Sequence, residues 1–416
     1  MSDDPVDWLY GLQSHGIKLG LDGIRALLAL LDRPERAFPT ILVGGTNGKG
    51  SVAAMLDALL RAHGRRTGLT TSPHLVGPEE RIRIDGRDVT SGELARLLDR
   101  VRTTCRRGLA DGSLSAHPSF FEVITAAALA GFQEAGVDVA VLEVGLGGRL
   151  DATNATEPVV SVIVTVDLDH VATLGPTLAA IAGEKAAIAR AGCPLVSGVS
   201  HEEALAVIRR RCDEIGARFV AAPPLSSGLE PPLPGEHQRH NAAVAVAALS
   251  EASRALGFSR RDDAVRSGLA ATRWPGRLQL VAGAPSLLLD GAHNPAGSEA
   301  LARHLASSGG ARPVLVFAAM QDKDVPGLIG PLLPHVATVV ATAPAVARAL
   351  PPVELAARIV AAGGRAEAAA TSREALERAR ALAGPEGRVV VAGSLYLVGE
   401  VLAIVEGREA RGPVAM

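Results

Sequence analysis

Short apolar runs recur along this chain, each followed by residues at helical spacing, and that alternation admits few folds. The runs fall at residues 40–44, 67–71, 137–144 and 159–166, then at 194–198, 286–290, 313–318, 337–341 and 388–392. Residues 51–63, 118–133, 241–256 and 261–271 read as helices. Strands separated by helices pair in parallel, because each crossover returns the chain to the same end of the sheet. The expected class is therefore α/β with a mainly parallel sheet. At 416 residues the chain is too long for one typical core. Proline and glycine in Trp274-Pro-Gly-Arg277 break any helix, and a fresh strand–helix alternation follows. Two domains are expected, residues 1–277 and 278–416. Residues 221–235, rich in Pro, Gly and Ser, read as a loop.

The first strand runs straight into Gly45-Thr46-Asn47-Gly48-Lys49-Gly50-Ser51, where a helix is expected to begin. Strand, glycine-rich turn and helix N-terminus together form an anion site: glycines let backbone N–H groups approach phosphate oxygens, and the helix dipole favours negative charge. Lys49 would reach the terminal phosphates, and Ser51 or Thr46 could touch a magnesium ion. The spacing departs from G-x-x-x-x-G-K-[ST], since Gly50 separates Lys49 from Ser51.

Two scarcities mark the same segments. Of 42 basic residues only four are lysine (Lys18, Lys49, Lys185, Lys323), and asparagine also occurs four times (Asn47, Asn154, Asn241, Asn294). Arginine cannot stand in where a compact ammonium or a neutral amine is needed. A chain that otherwise uses arginine keeps lysine where arginine fails.

Three further segments follow strand ends: Thr71-Ser72-Pro73-His74, Glu143 leading into Gly145-Leu-Gly-Gly-Arg-Leu-Asp151, and Asp167-Leu-Asp169-His170. Ligands of open parallel sheets bind at the carboxyl ends of strands, so these segments should converge beside the phosphate loop. A hydroxyl, a carboxylate and an imidazole suit a Mg²⁺ that also bridges nucleotide phosphates. Lys185 is expected on a helix just after this edge.

A net charge of −2 gives no electrostatic case for nucleic acid or an anionic membrane. The longest apolar stretch, residues 242–249, is far short of the ~20 needed to span a bilayer. The first twelve residues hold three Asp and no basic residue, unlike a targeting peptide, and Cys105, Cys193 and Cys212 are too scattered for a disulfide framework. A cytoplasmic location and a monomer are the expectations.

The ordered series GTNGKGS, TSPHL, PSFFE, EVGLGGRLDATN, DLDH with LG and EKA downstream, HQRHN, WPGR, DGAHNP, DKD and GSLYLVGE resembles the folylpolyglutamate synthase/dihydrofolate synthase family, over residues 40 to 400. The resemblance implies a Mur-ligase-type ATPase domain followed by a smaller Rossmann-like domain. It implies an ATP-dependent carboxylate–amine ligase that adds L-glutamate to dihydropteroate, to reduced folates, or to both. By resemblance Thr46, Asn47, Gly48, Lys49, Gly50 and Ser51 bind ATP, with Asn241, Arg277 and Asp290 completing the nucleotide site. Ser72, Glu143 and His170 match Mg²⁺ ligands (two ions), and Lys185 matches a lysine that the family carbamylates into a further ligand. Gly16, Ile17, Lys18 and Leu19, then Ser119, Phe120, Phe121 and Glu122, then Leu150, Asp151 and Ala152 occupy the places of pterin or folate contacts. His293 and Ser394 match positions of the incoming glutamate, with His293 a candidate base. The GGRLDATN wording leans towards a bifunctional enzyme.

The chain departs from the family in places. No aromatic precedes Glu80-Arg81, Val171-Ala-Thr173 follows DLDH where an acidic or bulky residue is usual, and Ala187 stands where glycine is usual. These touch substrate preference more than ATP chemistry. Two rivals remain at this level: a cell-wall amino-acid ligase of the same superfamily, and a P-loop nucleotide switch that is not a ligase. The first would usually carry an additional N-terminal domain; the second leaves Lys185 and the second domain unused.

Overall fold

The computed structural model describes residues 4–12, 20–231 and 233–411. Strand β1 (Thr40–Gly44) is buried along its whole length, as a strand covered on both faces must be. Ile41 and Val43 face one core and Leu42 the other, the period of two that a pleated strand dictates. Each such side chain contributes on the order of 1.5–3 kcal/mol by leaving water. The first sheet also contains β2 (Thr67–Thr70), β3 (Ile82–Ile84), β4 (Arg87–Asp88), β5 (Val139–Glu143), β6 (Pro158–Ile163), β7 (Pro194–Ser197) and β8 (Arg218–Ala221). Its strand order is β4-β3-β2-β5-β1-β6-β7-β8, parallel except for the β2–β3–β4 meander at one edge. Helices Lys49–Ala62, Glu236–Ala255 and Asp262–Ala271 cover one face; Ser91–Asp111, Phe120–Ala135, Leu178–Ala186 and Glu202–Ile215 cover the other.

A second sheet takes β9 (Gln279–Val281), β10 (Ser286–Leu289), β11 (Val314–Phe317), β12 (Thr338–Ala341), β13 (Ala366–Ala368) and β14 (Arg388–Ala392) in the order β13-β12-β11-β14-β10-β9. Only β9 runs antiparallel to its neighbour. This sheet also has a core on each face, one containing Phe317, Leu288 and Val390, the other Val316, Leu289 and Val391. The α/β class with mainly parallel sheets is as expected, and β1 and β14 have the expected bounds.

Five strands were not foreseen. β3, β4, β8, β9 and β13 are two to four residues long, and all five lie in the outer part of a sheet. Their residues are largely half-buried or exposed, so no continuous apolar run marks them. The helix expected at 241–256 begins at Glu236, because the polar run Glu236-His-Gln-Arg-His240 conceals a helical turn that faces the cleft. β6 ends at Ile163 rather than 166, since the residues after it turn away to bond the phosphate loop.

The two sheets meet through the hinge. Gly276 and Leu278 adopt positive φ, 69° and 45°, and the Asp290 carboxylate fixes this bend by accepting from Leu278 N (2.9 Å) and Ala292 N (2.9 Å). Beyond the last helix, Leu395–Glu406, the chain returns to the first domain, where Arg411 N donates to Val76 O at 2.8 Å. No helix among the described residues is long and apolar enough to cross a membrane. Cys105, Cys193 and Cys212 are free thiols.

Candidate active site

At the end of β1 the chain turns through Gly45 to Gly48, and Gly48 sits at φ 80° as the residue before the helix Lys49–Ala62. A Cβ there would lie 2.5 Å from Asn241 Oδ1 and 3.0 Å from Val164 Cγ1. Gly48→Ala is therefore expected to weaken ADP binding at least about tenfold by strain and by displacing Asn241, measured by calorimetry. The loop is held from the β6 side. Thr46 N donates to Thr165 O and Asn47 N to Thr165 Oγ1, both at 2.9 Å, and Asn47 Nδ2 donates to Asp167 Oδ2 at 3.1 Å. Lys49 Nζ donates to Thr46 O at 3.3 Å, so the ammonium curls over the loop.

Glu143 ends β5, next to β1, and its Oε2 accepts from Ser72 N at 2.9 Å. Burial raises the Glu143 carboxyl above its ordinary range, against the opposing pull of Lys49. Ser72 Oγ is buried without a partner, as expected of an atom held for a ligand. His170 stands at φ 50°, and burial lowers its pKa, which favours the neutral ring that can ligate. No three His, Cys, Asp or Glu side chains cluster as a metal cage among the described residues. A hydroxyl, one carboxylate and one imidazole instead fit a hard divalent ion that draws its remaining oxygens from phosphates and water.

Lys185 lies in the helix Leu178–Ala186, and its Nζ donates to Gly45 O at 2.9 Å. Burial, with the nearby Lys49 charge, brings its pKa from 10.5 to about 7 against the pull of Asp169, Asp167 and Asp151. A large share of this amine is therefore neutral near pH 7.

A cleft of about 330 Å³ joins these groups. It is lined by Thr46 to Ser51, Ser72, Glu143, His170, Lys185 and Asn241 from the first domain, by Arg277 of the hinge, and by Asp290 and His293 from the second. His293 Nδ1 must donate to Gly291 O (2.7 Å), which leaves Nε2 as an acceptor. Burial lowers His293 to about 4, so the ring suits orienting an ammonium better than removing its proton.

The other expected positions that are described do not line this cleft. Ser394 is buried as the cap of the helix Leu395–Glu406, its Oγ accepting from Tyr396 N at 3.2 Å, and Leu395 rather than Ser394 lines the cleft. Ser119 and Glu122 form a reciprocal cap on the helix Phe120–Ala135. Asp151 accepts from Gly145 N, Leu146 N and Thr153 N, fixing its own loop. Phe120, Phe121, Leu150 and Ala152 are also absent from the cleft lining. Gly16, Ile17, Lys18 and Leu19 fall outside the described residues.

Three residues given no role from the sequence prove central. Asp169 takes an ion pair from Lys323 of the second domain at 2.6 Å and a hydrogen bond from Asn294 Nδ2 at 3.1 Å. Asn294 also donates to Asn47 Oδ1 at 2.9 Å, tying the second domain to the phosphate loop. Burial alone would raise Asp169, but Lys323, His293 and His170 outweigh it and hold the carboxyl well below its ordinary range. The scarcity of lysine and asparagine was the available signal for Lys323 and Asn294. Since both side chains of the pair are mostly buried, Lys323→Met should destabilise the closed form by about 2–4 kcal/mol, read as a lower melting temperature.

Residues 276–395 match the family model "Mur ligase, glutamate ligase domain". A dihydrofolate synthase/folylpolyglutamate synthase of Mycobacterium tuberculosis is 40% identical over 364 residues, covering 77% of this chain and 74% of the relative. This chain belongs to the folylpolyglutamate synthase/dihydrofolate synthase family. A Haloferax volcanii relative named "Probable bifunctional folylpolyglutamate synthase/dihydropteroate synthase" is 38% identical across 95% of this chain, which spans 50% of that relative's length. The backbone of this family member also follows that of a solved bifunctional folylpolyglutamate synthase/dihydrofolate synthase with Mn, AMPPNP and L-glutamate bound. The TM-score is 0.86 at 30% identity, with 97% of this chain and 98% of the other covered. The family is one of ligases, and both rival classes fall away.

Proposed function

We propose that this protein joins L-glutamate to a pteroate or folate carboxylate with cleavage of ATP to ADP and phosphate, and that residues 1–277 and 278–416 are its two working domains. One observation carries the reading. The Lys49 loop, the Ser72–Glu143–His170 donors and the neutral-prone Lys185 amine face one cleft, closed by second-domain residues.

The acceptor carboxylate oxygen attacks the γ-phosphorus while the bond to the β,γ-bridging oxygen breaks, giving ADP and an acyl phosphate. The glutamate ammonium first gives up a proton to solvent, the amine attacks the acyl carbon, the C–O bond to phosphate breaks, a second proton leaves with the departing phosphate, and an amide remains. A divalent ion held by Ser72, Glu143 and His170, with carbamylated Lys185 supporting a second, would offset negative charge on the phosphates. Lys49 neutralises charge on the transferring group, which is the main service a protein renders in phosphoryl transfer. Closure of the second domain through Lys323 and Asn294 excludes water that would hydrolyse the acyl phosphate. His293 orients the incoming ammonium through its Nε2 lone pair.

The test is phosphate release with ATP, Mg²⁺ and L-glutamate, supplying dihydropteroate and tetrahydrofolate separately. Release that requires both glutamate and an acceptor is expected, and activity with both acceptors marks a bifunctional enzyme. Release indifferent to glutamate would overturn the reading.

A further inference from the structure

Arg81 ends the turn Pro78–Arg81 and is only 1% exposed. Its Nε donates to His74 Nδ1 at 2.8 Å, and its Cζ lies 5.1 Å from the centre of the Phe120 ring. Both Nη1 and Nη2 are buried with no partner. An unpaired buried guanidinium is costly, and natural folds rarely keep one without a use. Neither nearby carboxylate takes it up. Glu80 accepts from Leu75 N, Val76 N and Gly77 N, and Glu143 accepts from Ser72 N.

The position of the guanidinium is informative. Arg81 O accepts from Thr71 N at 3.3 Å, so its backbone is paired with the segment that leads into Ser72 and Pro73, which line the cleft. On its other side Phe120 meets Tyr10 edge-on, ring centres 5.9 Å apart. Because His74 Nδ1 accepts from Arg81, the imidazole carries its proton on Nε2, which donates to Arg411 O at 3.0 Å. The Nε edge is thus locked, and the remaining edge is the Nη1/Nη2 fork, a shape that matches the two oxygens of a carboxylate.

We propose that Arg81 is the binding residue for the acceptor's reacting carboxylate, gripping it through Nη1 and Nη2 beside Ser72 and Glu143. The inference rests on the ligase reading above and extends it to a residue outside the cleft lining. An acceptor with a flat aromatic body places that body on the Phe120–Tyr10 side and its carboxylate on the fork, where transferred phosphate can reach it. Since both nitrogens are buried, the acceptor must displace the Phe120 ring that lies over the guanidinium as it enters.

The experiment is a two-by-two comparison of equilibrium binding for each of two acceptors. The parent and Arg81→Met are each titrated with dihydropteroate and its carboxamide, and with tetrahydrofolate and its γ-carboxamide; ADP binding serves as the control. The parent should bind the carboxylate at least a hundredfold more tightly than the carboxamide. Arg81→Met should bind the two within threefold of each other and keep its ADP affinity. If Arg81→Met does not fold, Arg81→Lys replaces it and should retain less than a tenth of the discrimination. A parent indifferent to the carboxamide, or a variant that keeps the parent's ratio, overturns the assignment. A parent that binds neither acceptor instead fails the ligase reading itself, and the assignment with it.

Discussion

Lys49→Ala should lower ATP turnover at least about a thousandfold while changing ADP affinity far less. The ammonium donates only to Thr46 O and pairs with no carboxylate among the described residues, so its charge is available to phosphate. The loop does not depend on it for shape. Thr165, Asp167 and Asn294 hold the loop through Thr46 and Asn47, and these contacts survive the substitution. What is lost is an interaction that strengthens as charge builds on the transferring phosphoryl group, which appears in kcat rather than in ground-state binding. Lys49→Arg should restore little, because a broad planar guanidinium does not fit where a compact ammonium lies over the loop. Steady-state phosphate release and calorimetric ADP binding, measured side by side, decide it. A kcat within tenfold of the parent would remove Lys49 from the phosphates.

Much of this site was legible before any fold was known, and for physical reasons. β1 and β14 are central strands covered on both faces, so their apolar runs are continuous and unmistakable. The phosphate loop reads directly because glycine at positive φ and a lysine one residue later are demanded by backbone shape and by charge. Edge strands such as β8 and β13 were not legible, since a half-exposed strand leaves no signature in residue type. The Asp169–Lys323–Asn294 junction was likewise hidden. Its members lie 154 and 125 residues apart in the chain, and only the closure of two separate sheets makes them neighbours. Composition came nearest, because a chain with four lysines and four asparagines uses them where arginine and glutamine do not fit. Arg81 illustrates the opposite limit. One arginine among many carries no mark in the sequence, and only the burial of both its Nη atoms without a partner sets it apart.

Lys185→Ala should abolish turnover and be partly rescued by formate, acetate or propionate. Carbamylation joins a neutral amine to carbon dioxide, forming an N–C bond and releasing a proton, and it replaces an ammonium by a group with carboxylate oxygens. The neutral amine is the scarce reactant for an ordinary lysine, whose pKa is near 10.4. Burial and the Lys49 charge bring Lys185 to about 7, and Gly45 O orients its Nζ towards the phosphate loop. The sign for pH follows. Lowering the pKa of a base enlarges its neutral fraction at a given pH, so reactivation of CO₂-stripped enzyme should rise with pH and level off above about 7. That measurement is made at fixed dissolved CO₂, so that only the amine titrates. An unperturbed lysine would instead keep gaining rate up to about pH 10. Lys185→Arg should be inactive and unrescued, since the guanidinium fills the space a small anion needs and never becomes neutral. A carbon-13 carbamate signal in ¹³CO₂-treated parent, lost in Lys185→Ala, would tie the effect to this side chain. Full activity after CO₂ removal, with no dependence of reactivation on pH, would leave Lys185 as an unmodified hydrogen-bond donor to the loop.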